Sequence, residues 1–93
     1  MLLTFEWGPE KASENDSKHG VSFEEASTCF QDPESLTIHD PEHSDTEDRY
    51  VLLGMSARGR LLVVIHSERG DNIRLISARS ANRRETTKYS QTQ

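Results

Sequence analysis

The sequence predicts an α+β fold: a small antiparallel sheet with two N-terminal helices on one face and a C-terminal helix. Three observations lead there. Ser22-Phe23-Glu24-Glu25 has the capping-box pattern and comes just after a glycine stop, so it opens a helix early in the chain. Residues 49–78 read as three strands joined by short turns. Residues 72–85 then pass from an alternating strand into an Arg-rich helix.

Taken in order, Leu2 to Trp7 reads as a first strand, stopped by Gly8-Pro9. Pro9 suits the first turn of a helix over residues 9–19. That helix carries almost no apolar residue besides Ala12, so it should lie on the surface until Gly20 ends it. In the second helix Ser22 caps the Glu25 N–H while Glu25 reaches back, and Phe23, Ala26 and Phe30 face the sheet. Val21 and Ala26 form a modest hydrophobic staple across its start, and Asp32-Pro33 closes it.

Ser35 to His39 is a short strand near an edge, then comes an acidic loop to Asp48. The meander runs Arg49–Ser56, Arg60–His66 and Asn72–Ala78, with turns at Arg58-Gly59 and Glu68–Asp71. Leu61 to Ile65 is apolar without alternation, which marks a central strand covered on both faces. The first two helices can cover one face; the other needs the last helix (residues 81–89), a partner chain, or both.

At 93 residues the chain is expected to be one domain, residues 1–93, with a small core. Its charge is uneven. Residues 1–56 hold thirteen acids against Lys11, Lys18 and Arg49, a balance of −10; residues 57–93 hold eight bases against three acids, a balance of +5. A net acidic chain can thus bind nucleic acid through a local basic face. Cys29 is the only cysteine, which excludes an intrachain disulfide and fits a reducing compartment. The first residues lack the features of a signal peptide and no stretch is long enough to span a membrane, so a cytoplasmic location is expected.

Arg74 and Arg79 stand out, because Arg suits bidentate phosphate recognition and Arg79 lies where a strand feeds a helix with free N–H groups. The expectation is that the two guanidinium groups converge on one phosphate of an RNA backbone; a structural salt bridge to one of the many acids is the alternative. Lys18 and His19 end the first helix, where complementing its C-terminal dipole accounts for both. Glu47, Asp48 and Arg49 can form a local ion pair, and His66 reads as a hydrogen-bonded structural histidine. His39 and His43 flank Pro41 within an acidic loop, so they suit a solvated loop better than a metal site. No P-loop, zinc spacing or nucleophile elbow is present.

Together these residues resemble the BrnT family of bacterial ribonuclease toxins, of the wider RelE-like superfamily. The resemblance rests on Phe5-Glu6-Trp7, Pro9-Glu10-Lys11-Ala12, Asn15, the block from Lys18 to Ala26, Asp48-Arg49-Tyr50, Arg69-Gly70-Asp71, Ile76-Ser77-Ala78-Arg79, Arg84-Glu85 and Tyr89. Similar sequences usually carry an acidic residue where Gly8 stands and an apolar one where Asp16 stands. The resemblance implies a toxin that cuts mRNA without a metal or other cofactor. A BrnA-type antitoxin would silence it, and operator DNA would be bound only through the antitoxin complex.

Carried onto this chain, cleavage by the RNA 2′-OH would draw charge stabilisation from Arg79 and Arg74 and proton transfer from Lys18, His19 or Glu47. Arg49, Arg83 and Arg84 would guide the backbone. The alternative function is a non-catalytic module that binds a small DNA-binding antitoxin and tunes its repression. Its supports are the apolar second sheet face and the acidic N-terminal half.

Overall fold

Gly8 and Pro9 end the first strand as expected, and the rest of the chain builds a five-stranded sheet with helices on both faces. The computed structural model describes residues 3–43 and 47–92. Its elements are β1 (Thr4–Glu6), α1 (Pro9–His19), α2 (Phe23–Thr28) with a 3-10 turn at Cys29–Gln31, β2 (Leu36–Asp40), a 3-10 turn at Pro41–His43, β3 (Arg49–Met55), β4 (Leu61–Arg69), β5 (Asn72–Ser80) and α3 (Arg83–Gln91). The strand order is β1-β5-β4-β3-β2. The β2 to β5 pairs are antiparallel, and β1 adds to β5 in parallel. The sheet is therefore mixed at one edge, because α1 and α2 carry the chain away from β1 before the meander begins.

Two apolar layers hold the sheet. Val21, Phe23, Ala26 and Cys29 pack on Leu52, Leu62, Val64, Leu75 and Ala78 beneath the N-terminal helices. On the opposite face Tyr89 of α3 packs on Leu53 and Val63. The apolar run in β4 is thus buried from both sides, as its lack of alternation requires. The Tyr89 hydroxyl donates to Asp32 at 2.6 Å and ties α3 to the turn after α2. Burial opposes ionisation of Asp32, but hydrogen bonds from Tyr89 and from the Met55 and Glu34 N–H groups hold its carboxyl below the usual range.

Gly20 ends α1 in the left-handed conformation, φ 68°, which suits a residue without a Cβ. The start of α1 is plainer: Gly8 supplies no side-chain cap. Asn15 accounts for how so polar a helix is held. Its amide donates to the Val21 and Ala78 carbonyls, both at 2.9 Å, and accepts from the Ala78 N–H at 3.0 Å. One side chain thereby serves as the strand partner that β5 lacks beyond β1.

Two local expectations are corrected. Ser22 caps the Glu25 N–H at 3.1 Å, but the Glu25 carboxylate does not reach back to close the box. It accepts instead from Ser56 at 2.7 Å and from Arg60. A buried carboxylate gains more from a guanidinium than from one more N–H.

His66 is the second correction. It is 4% exposed, and neither ring nitrogen has a partner among the described residues. The ring lies between Phe30, edge-on at 4.8 Å, and Tyr50, stacked at 5.7 Å. Burial alone pushes its pKa down to about 4. The unfolded chain takes up that proton near the ordinary 6.5, so it binds more protons than the folded one between the two values. Stability is therefore full above pH 6.5 and is lost as pH falls towards about 4. His66→Phe is expected to stabilise the protein at pH 7 by about 1 kcal/mol, because it removes two unpaired buried nitrogens. It should also flatten the urea-unfolding midpoint across that pH window.

Candidate functional site

The strand register assembles a polar row that no sequence spacing reveals. Asp40 pairs with Arg49, Arg49 with Ser67, Ser67 with Arg74, and Arg74 with Glu6. Cross-strand partners share a face and lie side by side. Ser67 is fully buried in this row, and its hydroxyl donates to Glu47 at 3.0 Å. Val63, four residues earlier on β4, carries α3. The row therefore lies on the α3 face but roughly 13 Å along the sheet from where α3 sits.

Arg74 opens onto a hollow of about 210 Å³ that it shares with Glu6, Trp7, Gly8 and Arg69. Among the described residues no hydrogen bond or ion pair engages its guanidinium. Glu6 is already engaged: Arg69 lies 3.6 Å from it, and the Asn72 amide donates to it at 3.5 Å. The hollow thus offers an unpartnered guanidinium beside a second cation.

The strand–helix corner differs from expectation. β5 runs on through Ser80, and Asn82 caps α3 in a complete capping box with Glu85. Arg79 donates to both Glu85 oxygens, at 2.9 and 2.8 Å. The Asn82 N–H donates to the same carboxylate at 2.9 Å. The anion at this corner is the chain's own Glu85. Hydrogen bonding to Glu85 holds the Arg79 pKa up, and the same bonds hold Glu85 below the usual carboxylate range.

Arg74 and Arg79 therefore do not converge. Five positions separate them on β5, and a bulge opposite Ile65 and His66 absorbs one. About 13 Å of strand remains between them. The bulge also puts Ala78 on the same buried face as Ile73 and Leu75, breaking the alternation read from the sequence.

Lys18 and His19 line another hollow, of about 220 Å³, with Lys11, Glu14, Ile76 and Ser77. None of the arginines borders it. Arg83 and Arg84 are exposed in the first turn of α3, beside the Arg79–Glu85 pair. Among the proposed residues, then, Arg49, Glu47 and Arg74 come together around Ser67, while Arg79, Arg83 and Arg84 form a second cationic group. Ser67, Glu6 and Arg69 were missed as site residues; only the strand register brings them in.

Among the described residues no three His, Cys, Asp or Glu side chains are placed to hold a metal. His39 pairs with Asp48 at 3.0 Å; the His43 side chain and Asp45 lie outside the described residues. Among the described residues no helix is long and apolar enough to cross a membrane.

Residues 7–85 match the family described as the ribonuclease toxin BrnT of type II toxin–antitoxin systems. The fold matches the crystal structure of the Brucella abortus ribonuclease toxin BrnT, with TM-score 0.64 and 21% identity over 88% of this chain and 100% of that one. No curated protein matches the chain. The matched span takes in α1 and α2, the Arg49–Ser67–Arg74 row and the Arg79–Glu85 corner, so the chain belongs to the BrnT family of ribonuclease toxins of type II toxin–antitoxin systems.

Proposed function

We propose that this chain acts in the cytoplasm, as a single toxin domain, as a metal-independent endoribonuclease that cuts mRNA by 2′-OH attack. The observation that carries this reading is the Arg74 guanidinium, without a partner among the described residues, beside Arg69 and in register with Ser67 and Arg49, on the half of the sheet that α3 leaves uncovered. The 2′-OH gives up its proton and attacks the adjacent phosphorus, and the bond to the 5′ oxygen breaks as that oxygen takes up a proton from water. The products are a 2′,3′-cyclic phosphate and a 5′-OH.

Arg74 stabilises the charge that builds on the phosphorane oxygens, and Arg49 and Arg69 hold the flanking phosphate. Glu47, which accepts from the Ser67 hydroxyl, takes the proton. Arg79 further along β5, with Arg83 and Arg84 of α3, tracks the same strand of RNA. Lys18 and His19 stand outside this centre. A BrnA-type antitoxin holds the toxin silent, and operator DNA is met only through that complex.

The test is the purified chain, free of partner, incubated with RNA. Cleavage in the presence of a chelator, with cyclic phosphate ends and with 2′-deoxy substrates left whole, supports the proposal; intact RNA across many sequences refutes it. Since Glu85 already neutralises Arg79, Arg79→Ala is expected to slow cleavage less than tenfold. It should cost about 1 kcal/mol of stability by freeing α3. The Arg79–Glu85 lock also favours a second reading, a non-catalytic module that tunes repression by its antitoxin. Failure of cleavage in the wild-type chain would select it.

A further inference from the structure

β2 is a short edge strand that leaves apolar surface uncovered. Leu36-Thr37-Ile38-His39-Asp40 pairs with β3 on one side only. It contains no Lys, no Pro and no bulge, and its one carboxylate, Asp40, lies at the strand's end opposite Arg49, so the middle of the edge around Ile38 is left open to pairing. Ile38 is 57% exposed on it. Beside Ile38, between the sheet and α3, lies a hollow of about 140 Å³ floored by Leu36, Val51, Leu53 and Val63. That is close to the volume that accepts a benzene-sized group.

The segments that flank β2 are acidic. No Lys or Arg occurs between Lys18 and Arg49, while nine acidic residues do. Of these, Glu34, Glu42 and Asp48 are exposed on the segments flanking β2. Across the groove Glu85 and Lys88 of α3 offset one another. An occupant must therefore be extended, apolar at alternate positions and basic between them. A second copy of this chain would bring two acidic segments together, which like-charge repulsion opposes.

We propose that a basic, alternately apolar segment of the antitoxin adds as a strand to the outer edge of β2 and sets one large apolar side chain over Ile38. This rests on the reading of the chain as the toxin of a toxin–antitoxin pair. The segment would bind away from the Arg74 hollow: strand order puts β2 at one edge of the sheet and β1, whose Glu6 and neighbouring Trp7 line that hollow, at the other.

The test is amide hydrogen exchange on the co-expressed toxin–antitoxin complex, against the chain freed of its partner. The proposal expects exchange at residues 37–40 to slow at least tenfold in the complex. Ile38→Lys should weaken binding at least tenfold and leave RNA cleavage by the free chain unchanged. A stable complex in which β2 exchanges as fast as in the free chain overturns the docking site and leaves the ribonuclease reading standing. Slowed exchange in the free chain that rises with its concentration also overturns it, because the edge then pairs with a second copy. Failure of any partner to co-purify removes both the docking site and the toxin–antitoxin reading on which it rests, whereas the RNA assay judges the catalytic reading by itself.

Discussion

Arg74→Ala is expected to lower RNA cleavage at least about a hundredfold, the scale of losing one oxyanion stabiliser, and to leave the fold intact. Under the proposed mechanism activity falls because the Arg74 guanidinium, which shares its hollow with Arg69, is the group that meets charge as it develops. Stability holds because among the described residues no carboxylate depends on Arg74: Glu6 keeps Arg69 at 3.6 Å and Asn72 at 3.5 Å. The unfolding free energy should move by no more than about 0.5 kcal/mol, as for surface substitutions generally. Arg74→Lys should fall between the two, since it keeps the charge and loses the planar fork. The comparison is kcat/KM on partner-free protein, with urea unfolding alongside. An unchanged rate takes Arg74 out of the mechanism.

Glu25→Ala is expected to destabilise the fold more than any of the arginine or histidine changes, at about 3 kcal/mol. Glu25 is 5% exposed and joins α2 to the Ser56–Arg60 turn. Arg60 also donates to the Gly20 carbonyl at 3.1 Å, so the pair reaches the cap of α1 as well. Removing the carboxylate strands the Ser56 hydroxyl in a buried turn and frees Arg60. The cost sits at the low end of the range for a broken buried pair, because the Arg60 side chain is 38% exposed and can turn to water.

The same pair sets the acid limit of the fold. The hydrogen bond from Arg60, opposed by burial and helped by Ser56, holds the Glu25 pKa at about 2. Its folded value is depressed, so its contribution is present above the ordinary 4.5 and is lost as pH falls towards 2. Acid unfolding should therefore show His66 between pH 6.5 and about 4, and below that Glu25 together with the hydrogen-bonded carboxylates Asp32 and Glu85. A Glu25→Gln variant should lose the Glu25 share and so flatten the low-pH limb. An acid profile unaltered by that change would contradict the assignment.

Local structure was legible in the sequence wherever a single residue decides it. Pro9 and Gly20 bound α1 at Pro9–His19, and Ser22 starts α2 at Phe23. The unalternating run in β4 correctly signalled cover on both faces. Long-range pairing was not legible. Nothing near Ser67 in the chain indicates that Arg49 and Arg74 flank it, because that depends on the register of three strands. The bulge beside Ile76 hid which face Arg79 takes, since one added residue flips every later side chain of the strand. Glu85 stands three residues after Asn82, a spacing that fits a capping box. What no spacing showed is that the box would carry the carboxylate onto Arg79 and fill the anion site expected there.

The sharpest test is a titration of the partner-free protein with a non-cleavable 2′-deoxy analogue of a short RNA, monitored by NMR at the arginine Nε–H groups. If the scissile phosphate sits at the Arg74 hollow, Arg74 shifts first and most, with Arg49 and Arg69 next and Arg79 changing little. Shifts confined to Arg79, Arg83 and Arg84, or to the Lys18 and His19 hollow, would contradict that placement and put the RNA elsewhere on the molecule.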